Sequence, residues 1–384
     1  MPEPRPRARD LGIVLGSMAP GPLNAITDVA GVRVGHATIA RDQPDGGRPL
    51  RTGVTAILPH GGNVFTSKVP AAFHVINGFG KATGSTQIQE LGVLETPVAL
   101  TGTLSVGAAM EGLVRHALQE NPQIGGSAGT VNAVVAECSD ARLSDIRALA
   151  VRPRHALEAI AAAAGGPVAE GSVGAGTGMV CYGWKGGIGT ASRLAGEAAG
   201  GFTVGALVLA NFGRGRDLRI SGVPVGERLH RDDSICLAGK TPYGICLAGK
   251  TPCGSDGGGS CVVVLATDAP ADHRQLGRLA HRAQYGLGRT GTYGDHGSGE
   301  YAIAFSTAHR IPHTPPSAVI ATQMLAEDGP VINAVFQAVT ESVEEAVLNA
   351  LLRARSAGPA ADAIAPPIDP AAVAAIVSGE RRAE

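Results

Sequence analysis

Aromatic side chains are scarce in this chain: Phe, Trp and Tyr together make up 3% of its 384 residues. Neither sign of charge is in excess, with 32 Lys and Arg against 33 Asp and Glu, a formal net charge of −1. A chain with no basic surplus has no electrostatic means of holding nucleic acid or anionic lipid, so neither is an expected partner. No stretch approaches the ~20 apolar residues of a membrane-spanning helix. The opening MPEPRPRARDLG is basic and proline-rich but lacks the apolar run of a secretion signal. The six cysteines (138, 181, 236, 246, 253, 261) form no C-x-x-C pair, and several lie in apolar runs. That usage is expected of small core residues in a reduced, cytoplasmic compartment. H-E-x-x-H is also missing. His309 and His313 are four apart, but HRIPHTPP cannot hold a helix through its prolines. No metal or other cofactor is expected.

Apolar residues (44%) and 55 glycines are plentiful. Together with alanine they predict backbones packed closely around Val, Ile and Leu, as in a catalytic α/β or α+β protein. Strands are expected in NAITDVAGVRVGHATI, TGVTAILP, TVNAVVAEC, GFTVGALVLANFG, CVVVLAT and EYAIAFST. Helices are expected in LSVGAAMEGLVRHALQ, HALEAIAAAA, DHRQLGRLAHRAQYGL and VINAVFQAVTESVEEAVLNALLRA, before an Ala/Pro-rich tail that is mobile at its end. The order is not a strict βαβ alternation. It points to layered α+β, with helices covering one or two mostly antiparallel sheets. Two tandem copies, ICLAGKTPYG (235–244) and ICLAGKTPCG (245–254), read as a duplication within a surface loop.

Two glycine motifs lack the context their chemistry needs. GLGRTG (286–291) follows a helix and precedes a strand, the reverse of a dinucleotide fingerprint, so its glycines are expected to cap that helix. GGSAG (125–129) puts Ser127 between a helix and a strand, not at a strand-to-helix nucleophile elbow.

A third glycine run carries more. In GSDGGGSCVVVLATDAP, Gly257, Gly258 and Gly259 lead into Ser260, and a buried-looking strand starts at the next residue. Glycine lets neighbouring atoms approach a carbonyl closely. A serine after such a peptide bond can turn its hydroxyl onto the preceding carbonyl carbon. Hydrolysis of the resulting ester would cut the chain between Gly259 and Ser260. The new terminus would carry hydroxyl and amine on one residue, nucleophile and base together. The alternative is an ordinary serine where a flexible loop enters a strand.

Partners for such a serine exist. Ser298 and Glu300, two apart in HGSGEYAIAF, would share a face and orient the amine, or form a common polar edge pair. Asn211 ends the buried run VGALVLAN, where its amide could donate to an oxyanion or simply form a turn. Glu137 closes the apolar run TVNAVVAE, and a buried acid needs a cation: a substrate ammonium or a nearby Arg.

Taken in order, NAITDVAGVRVGH (24–36), INGFGK, GSVGAGTGMVCYGWKGGIGTASR, VGALVLANFGR, the GS seam with VVVLATDAP, GSGEYAIAF and EEAVLNALLRA (344–354) strongly resemble the self-processing L-aminopeptidase/D-amidase-esterase family, which includes the β-peptidyl aminopeptidases. The resemblance implies one catalytic domain over 1–384 with a four-layer αββα sandwich. That fold is similar to amino-terminal-nucleophile (Ntn) hydrolases, with different strand connectivity. It implies cleavage at Gly259–Ser260 into 1–259 and 260–384, with Ser260 as nucleophile, Ser298 and Glu300 assisting it, and Asn211 in the oxyanion hole. Glu137 would bind the substrate's amino group, and Tyr182 and Trp184 would wall the cleft or pack in the core. The implied substrates are short peptides, amides or esters with a free amine, and the implied assembly is a homotetramer of cut protomers. The rivals are an acyltransferase of the ornithine-acetyltransferase type, an amide-oligomer hydrolase, or a non-catalytic binding protein that is never cut. Gly102 stands where relatives often carry Asn, and Ala141 and Arg142 also depart from the family pattern.

Overall fold

A computed structural model of the chain describes residues 4–44, 46–196, 201–229 and 259–381. The tandem repeat, Gly257, Gly258, Cys236, Cys246 and Cys253 lie outside the described residues.

The strands are β1 (Arg33–Arg41), β2 (Leu50–Leu58), β3 (Ser67–Gly78), β4 (Ala82–Thr83), β5 (Val93–Leu94), β6 (Val98–Gly102), β7 (Val134–Cys138), β8 (Val180–Cys181), β9 (Trp184–Lys185), β10 (Gly187–Leu194), β11 (Thr203–Asn211), β12 (Ser260–Thr267), β13 (Gly299–Ser306) and β14 (Ile311–Pro312). The helices are α1 (Ser85–Leu91), α2 (Val106–Glu120), α3 (Pro153–Ala161), α4 (Val225–Arg228), α5 (His273–Arg289), α6 (Pro330–Arg353), α7 (Pro359–Ile364) and α8 (Pro370–Arg381).

One sheet runs β1-β2-β6-β7-β4, the other β10-β11-β12-β13-β3-β14 with β5 also on β3, and β8–β9 form a small hairpin. Pairing is antiparallel except β6–β7 and β12–β13. Side-chain alternation then builds three cores. Ile57, Leu100, Val134 and Ala136 of the first sheet meet Leu207, Leu209, Val262, Val264 and Ile303 of the second in one buried cluster between them. The opposite faces of β12 and β13 (Val263, Leu265, Ala302, Ala304) pack on Leu276 and Leu279 of α5 and Val339 and Val343 of α6. Val54, Ala56, Ala99 and Val135 pack on Ala109 and Leu113 of α2 and Ala156 and Ala159 of α3. The result is the expected αββα layering. Missing side chains bring helix and sheet together on both sides. A Cβ on Gly35 would lie 2.1 Å from the Ala159 oxygen, and one on Gly189 1.9 Å from the Ala346 oxygen.

Several local expectations need correction. The twelve-residue strand β3 was not foreseen, because Pro70 inside SKVPAAFHVING breaks the usual strand signal. Gly286 and Gly288 lie within α5 rather than capping it. Gly286 is a packing contact, since a Cβ there would meet the Thr340 oxygen of α6 at 2.6 Å. The Ala/Pro-rich tail forms α7 and α8, with Ile368, Val373 and Val377 buried in the helix-side core, and its end, 382–384, lies outside the described residues. The basic opening is structural, with the Arg7 guanidinium on the Glu170 carboxylate at 2.9 Å and Arg9 on Glu345 at 3.0 Å.

Candidate active site

Ser260 is the first residue of β12, and both neighbouring strands fix its height. Across the antiparallel pair it faces Asn211, the last residue of β11, and across the parallel pair it faces Gly299, the first of β13. Val262 and Val264 point between the sheets, so Ser260, two residues earlier, turns its hydroxyl the same way. There Ser260 Oγ accepts from Asn211 Nδ2 at 3.0 Å and from the backbone N–H of Ser139 at 3.1 Å. Ser139 directly follows β7, so the facing sheet supplies the second donor. Asn211 is not free to turn: its Oδ1 accepts from Val180 N at 2.9 Å, and its Nδ2 also donates to Ser139 O at 3.0 Å. Sequence reasoning missed the Ser139 N–H, since a backbone donor has no side-chain signature.

The Gly259 carbonyl accepts from Gly299 N at 3.2 Å. A Cβ on Gly259 would press on the Phe212 backbone at 3.1 Å.

Ser298 Oγ donates to Glu300 Oε1 at 2.8 Å, so these two are brought together. Burial raises the Glu300 carboxyl above the usual carboxylate range, and the Ser298 hydrogen bond offsets part of that rise. Glu300 pairs with Cys261, whose side chain lies in the helix-side core. The pair therefore flanks the Ser260 backbone rather than its hydroxyl. Asn77, from INGFGK, holds the loop before it, donating to the carbonyls of Asp295 and His296 at 3.1 Å each and to that of Ser298.

Glu137 is 2% exposed. Its Oε1 accepts from Lys81 N at 2.9 Å and its Oε2 from the Thr103 hydroxyl, while Lys81 Nζ stands 3.9 Å from Oε1. A Cβ on Gly80 would strike Tyr301 at 2.9 Å and Glu137 Oε1 at 3.0 Å, so only glycine lets this loop close on the carboxylate. Gly102 has a similar reason. A Cβ there would lie 2.5 Å from Asp140 Oδ2, and burial lifts the Asp140 carboxyl to about 6.

Tyr182 and Trp184 belong to the helix-side core. The Tyr182 hydroxyl bonds to Thr290 Oγ1 at 2.8 Å and its ring meets Phe212 edge-on at 5.4 Å, which is the packing alternative. Ser127 is exposed in a turn. Among the described residues no group of three or more His, Cys, Asp or Glu is placed to hold a metal, and no helix is long and apolar enough to cross a membrane.

A hydroxyl at the tip of an internal strand, between two facing sheets with helices outside, is the arrangement of an Ntn-type hydrolase. Comparison with known proteins narrows this class. Residues 24–363 match peptidase family S58. The chain is 41% identical over 331 residues to the β-peptidyl aminopeptidase BapA of Sphingosinicella microcystinivorans, covering 84% of this chain and 80% of that one. It superposes with a TM-score of 0.85 on the L-aminopeptidase D-Ala-esterase/amidase of Ochrobactrum anthropi, 40% identical over 99% of both chains, a structure described as a new variant among the Ntn hydrolase fold. A β-aminopeptidase from Burkholderia sp. gives the same TM-score at 40% identity, over 98% of this chain and 99% of that one. The chain belongs to peptidase family S58. It is a hydrolase with aminopeptidase function, and the acyltransferase and binding-protein rivals are not favoured.

Proposed function

We propose that the chain cuts itself between Gly259 and Ser260, and that Ser260, now an amino-terminal residue, then releases amino-terminal residues from short peptides, amides or esters. The observation that carries this reading is the Ser260 hydroxyl held by Asn211 Nδ2 and Ser139 N, beside a Gly259 carbonyl already bonded to Gly299 N. In the cut, Oγ attacks the Gly259 carbonyl carbon while the Gly299 N–H donates to the oxygen that gains charge. The C–N bond breaks, its nitrogen takes a proton, and water hydrolyses the remaining ester. Gly259 becomes a carboxylate and Ser260 gains a free amine.

That amine, with a reference pKa near 8, accepts the hydroxyl proton directly or through water. Oγ attacks the substrate carbonyl. The two N–H groups that hold Oγ at rest, kept in place, then donate to the substrate's oxyanion; loss of one such donor typically lowers kcat about 10²–10³-fold. The amine proton passes to the leaving group, and water then releases the acyl residue. Ser298 and Glu300 orient the amine from the flank of the strand. Glu137 holds the substrate's ammonium, which limits attack to the first peptide bond. We assign no substrate contact to Tyr182 or Trp184.

We further propose a cytoplasmic homo-oligomer, a tetramer by family resemblance. Cys138, Cys181 and Cys261 are buried free thiols, and exposed Phe79, Leu91 and Leu104 offer apolar surface for self-association.

Denaturing electrophoresis and mass spectrometry test the cut. Wild-type protein should give pieces of 259 and 125 residues, the shorter beginning at Ser260. Ser260→Ala should stay whole and release no amino acid from aminoacyl anilides. Full activity in an uncut wild-type chain, or persisting in Ser260→Ala, would overturn the reading.

A further inference from the structure

Lys185, at the end of the β8–β9 hairpin, is fully buried. Its ammonium spends all three protons on backbone carbonyls: Gly176 O at 3.0 Å, Met179 O at 3.1 Å and Gly186 O at 2.8 Å. Burial pulls its pKa down to about 7, while the charge of Asp362 on α7 acts to raise it. A buried charge held only by neutral carbonyls is costly, and packing alone would be served by an apolar chain of the same length.

One of those carbonyls leads to the site. Met179 C=O and Val180 N–H belong to a single peptide group. Its oxygen takes the Lys185 ammonium, and its N–H donates to Asn211 Oδ1 at 2.9 Å. Asn211 Nδ2 in turn donates to Ser260 Oγ at 3.0 Å. Each link polarises the next in the same sense. A cation on the peptide oxygen makes its N–H a stronger donor, and a stronger bond at Oδ1 draws electron density from Nδ2. Hydrogen-bond chains of this kind strengthen one another in a low-dielectric interior.

We infer that Lys185 is a positioning residue for the hydrolysis, fixing the Asn211 amide and strengthening its donation through the Met179–Val180 peptide. This rests on the proposed role of Asn211 in holding the oxyanion. The shared peptide group carries the inference.

A double-mutant cycle tests it, reading kcat and KM per processed protomer on an aminoacyl anilide. Lys185→Met should lower kcat about tenfold or more with KM within about threefold, because the interaction acts on the oxyanion and not on the substrate's ground state. Asn211→Ala should lower kcat on its own. Adding Lys185→Met to Asn211→Ala should then change kcat less than about twofold, since the link is already broken. An equal loss from Lys185→Met with and without Asn211 would make Lys185 merely structural and overturn the inference. An Asn211→Ala enzyme with undiminished kcat would overturn the reading of the site as well. If Lys185→Met does not accumulate, Lys185→Arg carries the same cycle. There, wild-type kcat or a loss confined to the Asn211 background supports the link, and an equal loss in both backgrounds overturns it.

Discussion

At Glu137 the backbone N–H of Lys81 and the Thr103 hydroxyl occupy the carboxylate oxygens, while the Lys81 ammonium waits 3.9 Å away on a side chain 55% exposed. An incoming substrate ammonium would meet that charge at the same carboxylate, and like charges at such a distance repel. Lys81→Ala is therefore expected to lower KM several-fold with kcat little changed, the pattern of altered ground-state binding. Steady-state kinetics at low salt check it, and the difference should shrink as salt screens the exposed side chain. At this scale much of the geometry was legible. Ser260 opens a strand, Asn211 closes its neighbour, and Ser298 with Glu300 forms a bonded pair. Each sits where an apolar run meets a polar residue, a junction that sequence displays. Ser139 and Lys185 were not legible. The first contributes a backbone N–H, and the second sits in a glycine-rich hairpin whose carbonyls converge only after folding.

Arg193 of β10 lies fully buried beneath α6, its Nη2 2.6 Å from Glu345 Oε2 and its Nε 3.2 Å from Glu341 Oε2. Arg9 reaches Glu345 from the opening segment, so a strand, a helix and the amino-terminal arm meet at one charge cluster. Removing the central cation leaves buried Glu341 without a cation and buried Glu345 with Arg9 alone. Arg193→Met should lose about 3–5 kcal/mol, the usual cost of breaking a buried pair from one side. Chemical denaturation of Ser260→Ala protein with and without the substitution measures this without interference from cutting. Six main strands and four long helices fall where periodicity predicts them, because burial on one face imposes a period that sequence displays. β3 escaped because of Pro70, and α7 and α8 because Ala and Pro read equally well as tail. Their order comes from seating Ile368, Val373 and Val377 in the helix-side core.

Across the whole molecule, the proposed cut falls within a sheet whose order interleaves the two pieces. β11 and β3 belong to residues before the seam, whereas β12 and β13, between them, belong to residues after it. The helix α6 of the shorter piece also covers β10 and β11 of the longer one, and α5 covers its β3, within one buried core. Cutting one peptide bond leaves every strand pairing in place. The two pieces should therefore elute as one species under native conditions and unfold in one transition seen equally by circular dichroism and fluorescence. Separate elution of the pieces, or two transitions, would contradict this.

That interleaving makes each molecule a joiner's dovetail, with its tenon shaped after assembly. Once cut as proposed, halves from different molecules would have no route into one another, so a mixture of two variants should keep its original pairings. A cut protomer damaged in its shorter half would then be beyond mending by exchange and would have to be made anew.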